Sequence, residues 1–144
     1  MQERRRFKMY FEEVELNKIY REDRSKTVTG SEIDIVAQLS GMDLPGFLDA
    51  EFAKGWGFKN RVTPGPYIFA CMVGLMAKQG FLADAVMVSV ESISFKRPVY
   101  PGDRIIAEVE VKNKKERKQG GGFCNYDWKV YNQKNEIIAE GNST

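Results

Sequence analysis

The chain has 144 residues, 42% of them hydrophobic and 12% aromatic, with 22 Lys and Arg against 20 Asp and Glu for a net charge of +2. That length suits one domain with a substantial core, and the near-balanced charge argues against a nucleic-acid binder. Histidine is absent, which excludes Ser-His-Asp and Cys-His nucleophile systems and any His-ligated metal; proton transfer would fall to carboxylates, Tyr, Lys or Cys.

No apolar run approaches the ~20 residues of a membrane span, and Met1-Gln2-Glu3-Arg4-Arg5-Arg6 lacks a signal-peptide core. Cys71 and Cys124 carry no spacing motif around them. A reducing, cytoplasmic setting is therefore expected.

Residues 7–22 alternate loosely through Phe7, Tyr10, Phe11, Val14, Leu16 and Ile19, as an amino-terminal arm packing on the core would. Lys26-Thr27-Val28 reads as a short strand. Thr29-Gly30-Ser31-Glu32 is a capping box, and Ile33, Val36, Ala37 and Leu39 follow at helical spacing. The pattern predicts a helix from about Ser31 to Ser40, stopped at Gly41. A loop follows over 41–48, after which Asp49 can cap a short helix through Phe52 and Lys54. Gly55-Trp56-Gly57-Phe58 is turn-like.

Pro64-Gly65-Pro66 opens the most apolar segment, Tyr67 to Ala77, hydrophobic on nearly every face and hence predicted as a buried helix. Pro66 suits its first turn and Gly80 its end. The rest reads as strands: Val86–Phe95, Arg104–Val111, Phe123–Tyr131 and Glu136–Glu140, with Asn132-Gln133-Lys134-Asn135 as a turn. Lys112, Lys114, Lys115, Arg117 and Lys118 precede Gln119-Gly120-Gly121-Gly122, which fits a solvated hairpin turn or, as a functional alternative, attraction of coenzyme A phosphates. A buried helix followed by antiparallel strands fits a single α+β domain over residues 1–144, with 1–17 as the arm and a curved sheet wrapping the helix.

The stretch Leu39 to Ala53 resembles the active-site segment of the MaoC-like (R)-specific enoyl-CoA hydratases, which reads S-G-D-x-N-P-x-H-x-D-x-x-F-A. Ser40, Gly41, Pro45, Asp49, Phe52 and Ala53 match in register. Met42 stands at the family's catalytic aspartate, Leu44 at its asparagine and Phe47 at its catalytic histidine. Ser94-Phe95-Lys96-Arg97-Pro98-Val99-Tyr100-Pro101-Gly102-Asp103 resembles the family's S-F-x-x-P-V-x-x-G-D, and Val62-Thr63-Pro64-Gly65 its entry to the central helix. The resemblance covers roughly residues 18–141 and implies the hot-dog fold.

It also implies a ligand, an acyl thioester of coenzyme A or acyl carrier protein, with no separate cofactor and no metal. Hydrating an enoyl thioester needs an acid and base for the water and a donor for the thioester oxygen. By the family's register the helix serine that supports the acid and base falls on Val73. Met42, Phe47 and Val73 cannot transfer protons, whereas Gly65 keeps the N–H that the family uses as donor, the only one in Pro64-Gly65-Pro66. Gly65 can equally be a tight turn between prolines. Met42, Leu44 and Phe47 can either plug the former water site or leave a greasy acyl pocket beside Pro64 and Gly65.

The expected function is therefore thioester binding without ordinary hydratase activity. The resemblance implies a homodimer, or a heterodimer with a catalytic hot-dog subunit. The alternative is an atypical hydratase, dehydratase or thioesterase using Asp43, desolvated beside Met42 and Leu44, with the Gly65 amide; Asp43 can also be simply solvated. Asp49 and Glu51 lie close in sequence, but Asp49 suits a helix cap. Asp103 reads as a turn residue, Cys71 as a small core hydrophobe, and Trp56 and Trp128 as packing residues.

Overall fold

A computed structural model describes residues 8–21 and 23–144. Phe7 and the Met1–Arg6 segment, on which the signal-peptide reading rests, lie outside the described residues. Six strands form one antiparallel sheet: β1 (Ile19–Arg21), β2 (Lys26–Thr27), β3 (Val90–Phe95), β4 (Arg104–Glu116), β5 (Gly122–Asn132) and β6 (Ile137–Ser143). The order is β1-β4-β5-β6-β3, with β2 also pairing β4, so the sheet is open and β3 is an edge. Register shifts between Val111 and Asn113, Val130 and Tyr131, and Val90 and Ser92 bend the sheet locally.

Four helices accompany it: α1 (Gly30–Ser40), α2 (Pro45–Leu48), α3 (Ala50–Gly55) and α4 (Gly65–Gln79). This is a hot-dog architecture, with α4 laid on one face of the sheet. Alternation buries Ile105, Ala107, Val109 and Val111 of β4 and Cys124, Tyr126, Trp128 and Val130 of β5. Against them α4 presents Ile68, Cys71, Met72, Leu75 and Met76.

Trp128 sits at the centre, 1% exposed, its indole N–H donating to Ser143 Oγ at 3.1 Å. The Phe69 ring of α4 packs on it at 5.3 Å between centroids. Its neighbour in register is Gly141, where a Cβ would lie 2.5 Å from Trp128 Cζ2 and 2.2 Å from the Ser92 carbonyl oxygen. Only glycine leaves room for the indole there.

The α1 cap forms as the sequence predicts. The Thr29 hydroxyl accepts from the Glu32 amide at 3.2 Å, and Glu32 Oε2 accepts from the Thr29 amide at 2.9 Å. Partial burial works to raise the Glu32 carboxyl, but hydrogen bonds from the Lys26 ammonium and the Thr29 amide outweigh it and hold the group below its usual value. A depressed carboxyl stabilises the fold fully above its unfolded pKa, and that contribution is lost as pH falls through the folded value. Glu32→Gln keeps the box but not the charge. Urea unfolding should therefore show the wild type more stable than Glu32→Gln by a few tenths of a kcal/mol at pH 7, with the gap closing below about pH 4; a gap unchanged down to pH 3 would contradict this account.

The α4 boundaries also follow the sequence. The helix starts at Gly65 after Pro64 and ends on Gly80, whose φ of 84° is left-handed. The expectation that α4 is buried all round needs correction. Ala70, Val73 and Ala77 are exposed, because the sheet covers one side of α4 and no second layer covers the other among the described residues. Smaller differences stand beside it: α2 forms inside the expected loop, β3 begins at Val90 rather than Val86, and β4 runs on to Glu116, so Lys112, Lys114 and Lys115 lie in a strand that pairs with β5 and the turn comes only at Arg117 to Gly121.

Candidate functional site

The three segments that carry the family resemblance meet at the start of α4. The Val62 amide donates to the Gly46 carbonyl at 3.0 Å, tying the 41–48 loop to the chain that enters the helix. The next amide, that of Thr63, donates to the Val99 carbonyl at 2.8 Å. Phe95 lays its ring on Gly65, so that a Cβ on residue 65 would come within 2.6 Å of it.

Gly65 has no left-handed φ, so a side chain at this position would meet the Phe95 ring rather than a strained turn. The Pro64 carbonyl accepts from Tyr67 at 3.0 Å and from Ile68 at 3.3 Å. Pro66 has no N–H. The Gly65 N–H has no acceptor among the described residues. It is the single open amide of the first turn, where unpaired N–H groups and the helix dipole favour negative charge.

Met42 and Phe47 are half-buried, and Phe47 packs against the core. The Met42 amide donates to Ser40 Oγ at 3.3 Å. The Phe47 carbonyl accepts from Arg61 at 3.5 Å, and Arg61 also pairs with Asp34. Asp43 and Leu44 are exposed, so the burial expected for Asp43 beside Met42 and Leu44 is not found among the described residues. Asp49 caps α3, accepting from the Phe52 amide at 3.0 Å, and the exposed Glu51 pairs with Lys54. Asp103 accepts from the Tyr100 amide at 2.9 Å and from Gln133 at 2.8 Å, a turn role as expected. Trp56 packs only one side, edge-on to Phe52 and over Gly46, and stays 60% exposed.

A cavity of about 660 Å³ opens beside the second half of α4. Met72, Val73, Met76, Phe81, Cys124 and Tyr126 line it. Val73 therefore faces the cavity, whereas Met42, Leu44, Phe47 and Gly65 do not line it. Val73 lies eight residues beyond Gly65, about 12 Å along the helix axis. Sequence reasoning missed this cavity because its wall comes from four separate stretches of the chain, around residues 10–12, 72–88, 117–126 and Thr144; the run of apolar residues at 72–76 was the one local sign.

Cys124 in this wall is no poised nucleophile, since burial pushes its thiol up. Burial likewise raises the Cys71 thiol, outweighing the opposing influence of Tyr67, in keeping with a core role. Both cysteines are free. No cluster of three or more His, Cys, Asp and Glu suits a metal among the described residues. No helix among them is long and apolar enough to cross a membrane.

The family profile described as MaoC like domain matches residues 13–125. An (R)-specific enoyl-CoA hydratase of Aeromonas caviae is 33% identical over 94 residues, 65% of this chain and 69% of that protein. The solved structure of an A. caviae (R)-hydratase involved in PHA biosynthesis superposes with a TM-score of 0.76 at 27% identity, over 90% of this chain and 94% of that one. A monoamine oxidase regulatory protein from Archaeoglobus superposes with a TM-score of 0.83 at 25% identity, over 94% of this chain and 92% of that one.

Proposed function

The chain belongs to the MaoC-like dehydratase family, and from that premise we propose that it binds acyl thioesters of coenzyme A or acyl carrier protein without ordinary enoyl-CoA hydratase activity. One observation carries the reading: an open amide at Gly65 shares a helix with an apolar cavity lined by Val73. The amide can hold the thioester oxygen, and the cavity, within the usual range for ligand pockets, can take the acyl tail. Met42, Phe47 and Val73 stand where the family keeps its proton-transfer groups, and none of the three can accept or donate a proton.

The assembly we propose is a homodimer, or a heterodimer whose partner carries the aspartate and histidine. Supporting it, the edge strand β3 exposes Val90 and Ile93, and among the described residues one side of its backbone has no strand beside it. Two free cysteines support a reducing, cytoplasmic setting.

The purified chain, offered enoyl thioesters of four and eight carbons, should give no measurable loss of the enoyl absorbance while binding octanoyl-CoA in a calorimeter. Hydration by the chain alone would overturn the non-hydratase reading. If that hydration disappeared in Asp43→Asn, Asp43 would be the base of an atypical enzyme. Absence of thioester binding would reject the ligand class.

A further inference from the structure

We propose that Phe95 is a specificity-determining wall of the Gly65 docking point, an aromatic plate that selects a planar, conjugated acyl thioester over a saturated one. The proposal rests on the thioester-binding reading. It starts from a close approach: a Cβ at residue 65 would lie 2.6 Å from Phe95 Cζ and 2.7 Å from Cε2. The ring thus fills the space a side chain would take and borders the open amide.

Phe95 is nevertheless 45% exposed, whereas Trp128 and Tyr126 on the same sheet are 1% and 9% exposed. The outer edge of the ring, Cζ with Cε1 and Cε2, rests on Gly65, while the residue as a whole keeps nearly half of its surface exposed. Two residues upstream, in the segment entering the helix, the Thr63 hydroxyl is buried with no hydrogen-bond partner, its residue only 5% exposed. Two polar groups of one short segment are therefore unpaired where buried or half-buried groups are ordinarily satisfied.

An oxygen accepted by the Gly65 amide lies about 2.9 Å from the nitrogen, which brings the atoms bonded to its carbonyl carbon alongside the ring. An enoyl thioester is flat from sulfur through the carbonyl to the double bond, so it can lie against the aromatic face. A saturated chain bends out of that plane after the carbonyl and loses part of the contact.

The test titrates crotonyl-CoA and butanoyl-CoA, equal in carbon number, into the full chain and into Phe95→Tyr and Phe95→Met. The wild type and Phe95→Tyr should bind crotonyl-CoA about threefold tighter or more, the scale of a favourable ring contact. Phe95→Met keeps apolar bulk without the plane and should bind the two thioesters equally. Equal binding by the wild type, or an unchanged ratio in Phe95→Met, overturns the proposal while leaving thioester binding intact. Failure of the wild type to bind either thioester overturns both readings. Circular dichroism checks each variant, and Phe95→Leu replaces Phe95→Met if the latter does not fold.

Discussion

Trp128→Ala is expected to remove about 3–5 kcal/mol of folding stability. The indole is 1% exposed, so its deletion leaves a cavity between α4 and the sheet that the strands cannot close. Three contacts go together: the Phe69 ring at 5.3 Å, the hydrogen bond to Ser143 at 3.1 Å, and the packing over Gly141. Ser143 is itself fully buried, so its hydroxyl would lose its indole donor, a further reason for a value toward the upper end. Urea unfolding followed by circular dichroism measures it, since the substitution removes the buried one of the two tryptophans and leaves the exposed Trp56. Trp128→Phe should fall between the two, keeping the ring contact and losing the hydrogen bond. A midpoint for Trp128→Ala within error of the wild type would show that the core does not centre on this residue.

Val73→Trp is expected to weaken dodecanoyl-CoA binding roughly tenfold or more while leaving butanoyl-CoA nearly unchanged. Val73 is 36% exposed and lines the cavity, so an indole there can enter the cavity without displacing core side chains. Pushing a tail into filled space carries the cost of overpacking, about 1–3 kcal/mol, which converts to roughly 5- to 150-fold in affinity. A short chain held at Gly65 ends before Val73, some 12 Å along the helix, and escapes that cost. Calorimetry on both thioesters separates the outcomes. Equal weakening of the two would mean that the cavity is not the tail's pocket.

Local chemistry made much of the fold legible. The Thr29 and Glu32 box, the Asp49 cap and the Gly80 stop depend on residues within one turn of each other, and each forms as read. Alternation placed β4 and β5 because their inward residues meet a helix, which turns periodicity into burial. At Val86 and Val88 the same alternation misled. These side chains are 86% and 64% exposed, and the segment meets the chain just past β6, where the Val88 and Ser89 amides donate to the Thr144 carbonyl and the Ser89 carbonyl accepts from the Thr144 amide. Periodicity reports two-sidedness and is silent on whether a partner strand exists. The α2 turn was missed because Pro45-Gly46 reads as loop, although Gly46 is needed for the approach of Trp56.

The site was legible as a set of positions and not as a shape. Family register pointed to Met42, Phe47, Gly65 and Val73 one by one. That Gly65 and Phe95 touch, or that Val73 opens on a cavity walled by Tyr126, depends on residues 30 and 53 positions apart (95 − 65 and 126 − 73), which no local pattern encodes.

The strand order has a consequence for how the chain comes to its fold. Tyr20 of β1 pairs with Val109 of β4, roughly 90 residues downstream, a long loop to close. The β4-β5-β6 meander needs only short hairpin closures. As synthesis proceeds from the amino terminus, α4 is complete before any of β4, β5 or β6 exists to cover it. The most apolar helix in the molecule therefore leaves the ribosome uncovered, and its protection from aggregation in that interval must come from speed of completion or from a chaperone.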